Sequence, residues 1–143
     1  MIKNIKKVAV LGSGIMGSGI ACQLANVGLE VILLDIIPEK ENNSSDHKKR
    51  NSLVNNALHT AVKSKPAPLY SKSMLNNIST GNFDDDFDKI SECDWIIEVV
   101  VERLDIKNII FEKVDQHRKA GSIVSSNTSG TVSYTHLTLP TNA

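Results

Sequence analysis

The feature that most constrains this chain is a glycine pattern lodged between an apolar strand and a helix. Residues 7–11, Lys-Val-Ala-Val-Leu, are apolar and β-branched after the first position and read as a short buried strand. Gly12-Ser13-Gly14-Ile15-Met16-Gly17 follows without a gap. Met16, Ile20 and Leu24 then recur every four residues, with Val27 three further on. That spacing predicts one apolar face of a helix, which Gly28 ends. Residues 30–35 enclose Val31-Ile32-Leu33-Leu34 and read as a second buried strand closing on Asp35. Strand, helix and strand in so short a span form a crossover unit, and that connection requires parallel strands.

The glycines match G-x-G-x-x-G at Gly12, Gly14 and Gly17. In such a turn the first glycine permits a tight bend. The second lets the backbone approach a pyrophosphate, and the third lets the helix pack close to the strand. The helix start offers unpaired N–H groups and a partial positive charge to an anion. Asp35 stands 18 positions past Gly17, near the spacing at which an acid meets an adenosine ribose. Its carboxylate would accept from ribose hydroxyls and repel a 2′-phosphate. Ile36, Ile37 and Pro38 supply no basic group to offset that repulsion. The expected cofactor is therefore NAD rather than NADP. The candidate contacts are Gly12, Ser13, Gly14, Ile15, Met16, Gly17 and Asp35. A glycine-rich turn beside an exposed acid needs no ligand, but the strand–helix–strand setting favours one.

Residues 36–77 form a different zone. Pro38 breaks the chain and 39–50 are polar. Leu53, Ala57 and Ala61, joined by Val54, Leu58 and Val62, predict a helix running to about Ser64. Lys65-Pro66-Ala67-Pro68 ends it, because a residue before proline disfavours helix. A short helix over 71–77, a short strand over 78–81 and an acidic loop over 82–88 are expected next. Residues 94–101 read as a strand and 104–118 as a helix with Ile106, Ile109, Ile110 and Val114 toward the sheet. Residues 122–125 read as a further strand, opening into Ser126-Asn127-Thr128-Ser129-Gly130. The expected fold is α/β: a Rossmann-type parallel sheet with a helical excursion after the second strand, incomplete at its C-terminal end.

Charge excludes some functions. Lys+Arg and Asp+Glu each number 16, so the formal net charge is +0, and no global field draws the chain to nucleic acid or an anionic membrane. No apolar run approaches membrane-spanning length, and the basic start lacks a signal-peptide pattern. Cys22 and Cys93 sit in no metal-like spacing, which predicts two unpaired thiols, no metal and a cytoplasmic protein. Lys48-Lys49-Arg50, Lys63 and Lys65 read first as a solvated helix face. Asp84-Asp85-Asp86 reads as a solvated loop. Glu98 interrupts an apolar strand and must find a partner or reach the strand's open end.

With Trp95-Ile96-Ile97-Glu98-Val99-Val100-Val101-Glu102 and Ser126-Asn127-Thr128-Ser129-Gly130, residues 5–131 resemble the N-terminal domain of the 3-hydroxyacyl-CoA dehydrogenases of fatty-acid β-oxidation. The resemblance is greatest to the long bacterial form, which also carries an enoyl-CoA hydratase domain. Lys65-Pro66-Ala67-Pro68 and Gly81-Asn82-Phe83-Asp84-Asp85-Asp86 match that subgroup. The resemblance implies NAD-dependent oxidation of a 3-hydroxyacyl-CoA to the 3-ketoacyl-CoA. It implies that the Gly12–Gly17 loop holds the pyrophosphate, that Asp35 holds the ribose, and that Glu102 and Lys107 are cofactor contacts. Ser129 is implied to touch both the nicotinamide end and the substrate. From the residues alone, Lys107 reads sooner as an ordinary exposed helix charge, and Ser129 equally as a turn residue. No base adjoins Ser129 in a nucleophile pattern, so its functional role is to position the reacting carbon. The resemblance also implies a following helical domain, a hydratase domain and a homodimer in the parent, and the excursion as part of a coenzyme A site.

The family's catalytic base is a histidine in a His-Phe-Phe-Asn-Pro segment, oriented by a glutamate. Neither segment occurs in this chain. His47, His59 and His117 read as surface residues. His136 lies seven positions past Ser129, within Ser133-Tyr134-Thr135-His136-Leu137-Thr138-Leu139-Pro140-Thr141. That stretch resembles the translation of a sequencing-library adapter. The expected division is thus a truncated NAD-binding domain over 1–131 and a non-biological tail over 132–143, the fragment itself being inactive. Two rivals remain: a β-hydroxyacid dehydrogenase with a G-x-G-x-M-G turn, for which NADP preference would speak, and a non-catalytic dinucleotide-binding module.

Overall fold

A computed structural model describes residues 5–41, 43–64, 72–99 and 104–126. Five strands form one parallel sheet: β1 (Lys7–Leu11), β2 (Glu30–Asp35), β3 (Ile78–Asn82), β4 (Trp95–Glu98) and β5 (Ile123–Ser126), in the order β3-β2-β1-β4-β5. The helices are α1 (Ile15–Asn26), α2 (His47–Arg50), α3 (Ser52–Val62) and α4 (Leu104–His117). Short 3₁₀ segments cover Glu39–Glu41, Lys72–Asn77 and Phe87–Glu92. The last of these begins at the end of the acidic loop expected over 82–88 and runs on through residues to which the sequence assigned no element.

The strand order explains where a ligand belongs. The chain first winds outward from β1 through β2 to β3, then returns across the sheet to β4 and winds the other way. The reversal leaves a crevice at the carboxyl ends of β1 and β4, where Leu11 pairs with Glu98. Open α/β sheets bind ligands at such a switch point.

Both faces of the sheet are covered, so the strands read as continuous apolar runs. Val8, Val10, Val31 and Leu33 face α1 and α3; Ala9, Leu11, Ile32 and Leu34 face α4 and Phe87–Glu92. The helix faces differ from the spacing-based expectation. On α1 the buried residues are Gly17, Ser18, Ala21, Cys22 and Ala25, whereas Met16 and Val27 are exposed and Ile20 and Leu24 only flank the core. The cause is the closeness of helix and sheet at Gly17: only small side chains fit beneath, so the large apolar ones lie to the sides. On α3, Val54 and Leu58 are buried and Leu53 is not; on α4, Ile110, Phe111 and Val114 are buried and Ile109 is exposed.

The acidic loop is also more than a solvated turn. Asn82 is fully buried at the end of β3. Its side-chain nitrogen donates to Asn51 (2.8 Å) and Asp85 (3.0 Å), and its oxygen accepts from the backbone N–H of Asp84 (3.0 Å) and Asp85 (2.7 Å). Asp85 in turn receives Arg50 through Nε (2.7 Å) and a terminal guanidinium nitrogen (2.9 Å). Two-point arginine–carboxylate contact is geometrically specific, and here it ties α2 to β3. Arg50 is thus engaged, while Lys48, Lys49 and Lys63 are exposed.

At the opposite end of the sheet, Asp94 accepts from Lys119 Nζ and from the backbone N–H of Lys6 (2.9 Å) and Lys7 (3.1 Å). The Lys119 contact first, then the backbone donors, hold its carboxyl down to about 2. A depressed carboxyl contributes stability above its unfolded value, near 4, and loses it as pH falls through the folded value. We expect an acid limb of unfolding between about pH 4 and pH 2 that flattens in Asp94→Asn, read by circular dichroism. An unchanged limb would assign it to other carboxylates. Cys22 and Cys93 are buried and unpaired, and burial raises both thiols, Cys93 to about 11. Among the described residues no group of side chains could hold a metal, and no helix is long and apolar enough to cross a membrane.

Candidate functional site

The turn after β1 is held by three contacts. Gly12 takes a φ of 115°, which L side chains rarely adopt, and its N–H donates to Leu34 O at 2.7 Å. Ser18 Oγ donates to Ser13 O at 2.7 Å, tying the second turn of α1 back to the loop. Gly17 abuts Gly12 so closely that a Cβ there would lie 1.8 Å from Gly12 O. These contacts fix the loop on rigid elements rather than leaving it to fluctuate.

Gly14 starts α1 with no side-chain cap, and the first turn carries no acidic residue. No acidic side chain in the helix's own first turn compensates its positive end, as an anion site requires. A Cβ on Gly14 would meet nothing within 4 Å. That open space is where a diphosphate needs to approach. Ile15, at 98% exposure, stands beside it. The loop also forms one wall of a groove of about 690 Å³ whose other wall is α3, through Asn56, Ala57, Thr60, Ala61 and Ser64. Ala57 and Ala61, part of the apolar pattern that predicts α3, line this groove.

Asp35 ends β2 beside the loop. Its Oδ2 accepts from Ser13 N (2.8 Å) and Ser13 Oγ (2.5 Å), and its Oδ1 from Ile36 N (2.7 Å). The carboxylate is part-buried and fixed in direction. Ile36 is 45% exposed beside it, an apolar surface suited to a base ring.

Across the crevice, Glu98 is fully buried at the end of β4 and accepts from Ser126 Oγ at 2.6 Å. That partner is 28 positions away, at the end of β5, where the parallel register sets Ser126 opposite Glu98. Lys107 sits in the first turns of α4 and is 5% exposed, which contradicts the reading of it as an ordinary exposed charge. Glu102 and Ser129 lie outside the described residues, as do Asn127, Thr128, His136 and the 132–143 segment. His59 is exposed, and the His117 ring packs 5.7 Å from that of Phe87.

The loop, the bare helix start, the space at Gly14 and the directed acid fit a dinucleotide. Known proteins agree. Residues 7–141 match the family described as 3-hydroxyacyl-CoA dehydrogenase, NAD binding domain. A probable 3-hydroxyacyl-CoA dehydrogenase of Bacillus subtilis is 54% identical over 138 residues, covering 91% of this chain and 18% of that protein. A putative fatty acid oxidation complex trifunctional enzyme of Rickettsia felis is 43% identical over 129 residues, covering 90% of this chain and 17% of that one. The crystal structure of (S)-3-hydroxybutyryl-CoA dehydrogenase from Ralstonia eutropha superposes with a TM-score of 0.61 at 28% identity, over 88% of this chain and 42% of its own. The chain thus spans less than half the length of each of these relatives. The chain belongs to the NAD-binding domain family of the 3-hydroxyacyl-CoA dehydrogenases, a family of oxidoreductases, and its cofactor is NAD.

Proposed function

We propose that the chain is the cofactor-binding portion of an enzyme that oxidises the 3-hydroxyl of a 3-hydroxyacyl-CoA to the ketone in fatty-acid β-oxidation. The observation that carries this reading is the Gly12–Gly17 loop and Asp35 meeting at the open carboxyl end of the sheet, in a chain 54% identical to a probable dehydrogenase of that name. In this reading the N–H groups at the start of α1 bind the diphosphate and Asp35 accepts from the adenosine ribose. Lys107 and Glu102 orient the cofactor from the β4 side, and Ser129 positions the substrate carbinol. Bound NAD supplies the acceptor for the hydride. The burial of Lys107 at 5% exposure supports a role inside the cleft rather than on a solvated face.

The proton of the substrate hydroxyl needs a base. His59 is exposed on α3 and the His117 ring packs against Phe87, and no His-Phe-Phe-Asn-Pro segment occurs in the sequence. The parent enzyme, a multidomain cytoplasmic protein in this reading, supplies that base from a His-Phe-Phe-Asn-Pro segment on the strand after the turn at 126–130. A hydratase domain and a homodimer belong to the same proposal. The groove between α1 and α3, continuous with the loop, is the space proposed for part of the acyl-CoA.

Calorimetry tests the cofactor half. NADH should bind the chain, and NADPH about a hundredfold more weakly, since a like charge set against a fixed carboxylate costs several kcal/mol. Equal heats for the two would remove Asp35 from the ribose role. Acetoacetyl-CoA should not be reduced by NADH with this chain alone. Turnover that His136→Ala abolishes would place the base within these 143 residues.

A further inference from the structure

Ser13 reads in the sequence as one more residue of the phosphate loop, yet both of its polar groups turn elsewhere. Its N–H and its hydroxyl donate to the same atom, Asp35 Oδ2, at 2.8 and 2.5 Å. Ser13 is 2% exposed, and its carbonyl is held in turn by the buried Ser18 hydroxyl at 2.7 Å. A carboxylate oxygen offers two lone-pair directions. At Oδ2 both are taken by Ser13. At Oδ1 one is taken by Ile36 N–H (2.7 Å), which leaves one direction open among the described residues.

We propose that Ser13 is the positioning residue for the ribose acid: it clasps Oδ2 of Asp35 with amide and hydroxyl together, and so presents one lone pair of Oδ1 to a ribose hydroxyl. The inference rests on the cofactor reading above and deepens it. The clasp has two physical consequences. First, the acid is held before the cofactor arrives, so less side-chain freedom is lost on binding. Second, the Ser13 amide is withdrawn from the anion cradle, whose donors then lie past Gly14 in the first turn of α1. Ser13 thus acts through Asp35 and touches neither the diphosphate nor the reacting atoms.

A double-mutant cycle on the 143-residue chain tests this, with NADH affinity measured by calorimetry in the wild type, Ser13→Ala, Asp35→Asn and the double variant. Ser13→Ala should weaken NADH about tenfold, the scale of one hydrogen bond to a charged group. In the Asp35→Asn background the same change should have little further effect. A residue that merely supports the loop, or one that touches phosphate, would cost the same in both backgrounds, and additivity overturns the proposal. Unchanged or tighter binding by Ser13→Ala overturns it as well. Hydrogen exchange on the ligand-free wild type needs no variant: the Ser13 amide should exchange slowly through its carboxylate bond, and fast exchange there counts against the clasp. Absence of NADH binding by the wild type would instead fail the cofactor reading, and this proposal with it, whereas binding with an additive cycle fails this proposal alone.

Discussion

Gly17→Ala should destabilise the chain by about 3 kcal/mol and abolish measurable NADH binding, because the new methyl has nowhere to go. Its Cβ would lie 1.8 Å from Gly12 O, 2.8 Å from Gly12 C and 2.9 Å from a methyl of Val99. Two of those three atoms are backbone. They belong to a residue already at a φ of 115° that hydrogen-bonds Leu34. Relief therefore requires α1 to lift from the sheet, which opens the small-residue face of Ala21, Cys22 and Ala25 and moves the helix start away from the loop. Denaturant melts give the stability and calorimetry the binding. Gly14→Ala is the control: its Cβ meets nothing within 4 Å, so stability should hold while NADH binding falls. Equal stability of Gly17→Ala and wild type would show that helix and loop tolerate separation, and would remove the close approach as a structural requirement.

Asn82→Ala should cost a comparable amount, about 3 kcal/mol, through a different mechanism. The substitution deletes little apolar volume. It strands the backbone N–H groups of Asp84 and Asp85 and the side-chain acceptor of Asn51, all of which Asn82 now satisfies from a fully buried position. Asp85 also loses one of the donors that hold it toward Arg50. Because β3 pairs with β2 through Asp35 and Asn82, the loss should reach the site: NADH binding should weaken even under conditions where the variant remains folded. Thermal melts with calorimetry below the transition check both parts. An Asn82→Asp variant, which keeps the acceptor for the two N–H groups but sets a carboxylate against Asp85, separates the backbone contacts from the side-chain ones. A melting temperature of Asn82→Ala within a degree or two of wild type would mean that the network is solvated, with water replacing the lost partners.

Much of the candidate site's geometry was legible because its determinants are local. A glycine turn, the strand before it, the helix after it and an acid at the end of the next strand all lie within 7–35, and each follows from backbone sterics and side-chain period. The same period misled where packing distance mattered. A spacing of four picks out Met16, Ile20 and Leu24 on α1, but the sheet approaches so closely at Gly17 that glycine, alanine and cysteine take the buried face.

The sequence alone determined that this chain makes parallel crossover units, where they begin and end, and which acid faces the glycine turn, since these depend on neighbours a few positions apart. Tertiary structure decided which polar groups are spent and which remain available. Ser126 reaches Glu98, Arg50 reaches Asp85, and Ser13 turns both its donors from the expected anion to Asp35, across separations of 28, 35 and 22 residues. Hydrogen bonds are short and directional, so their pairing is set by where folding brings the chain, and no pattern along the sequence encodes it.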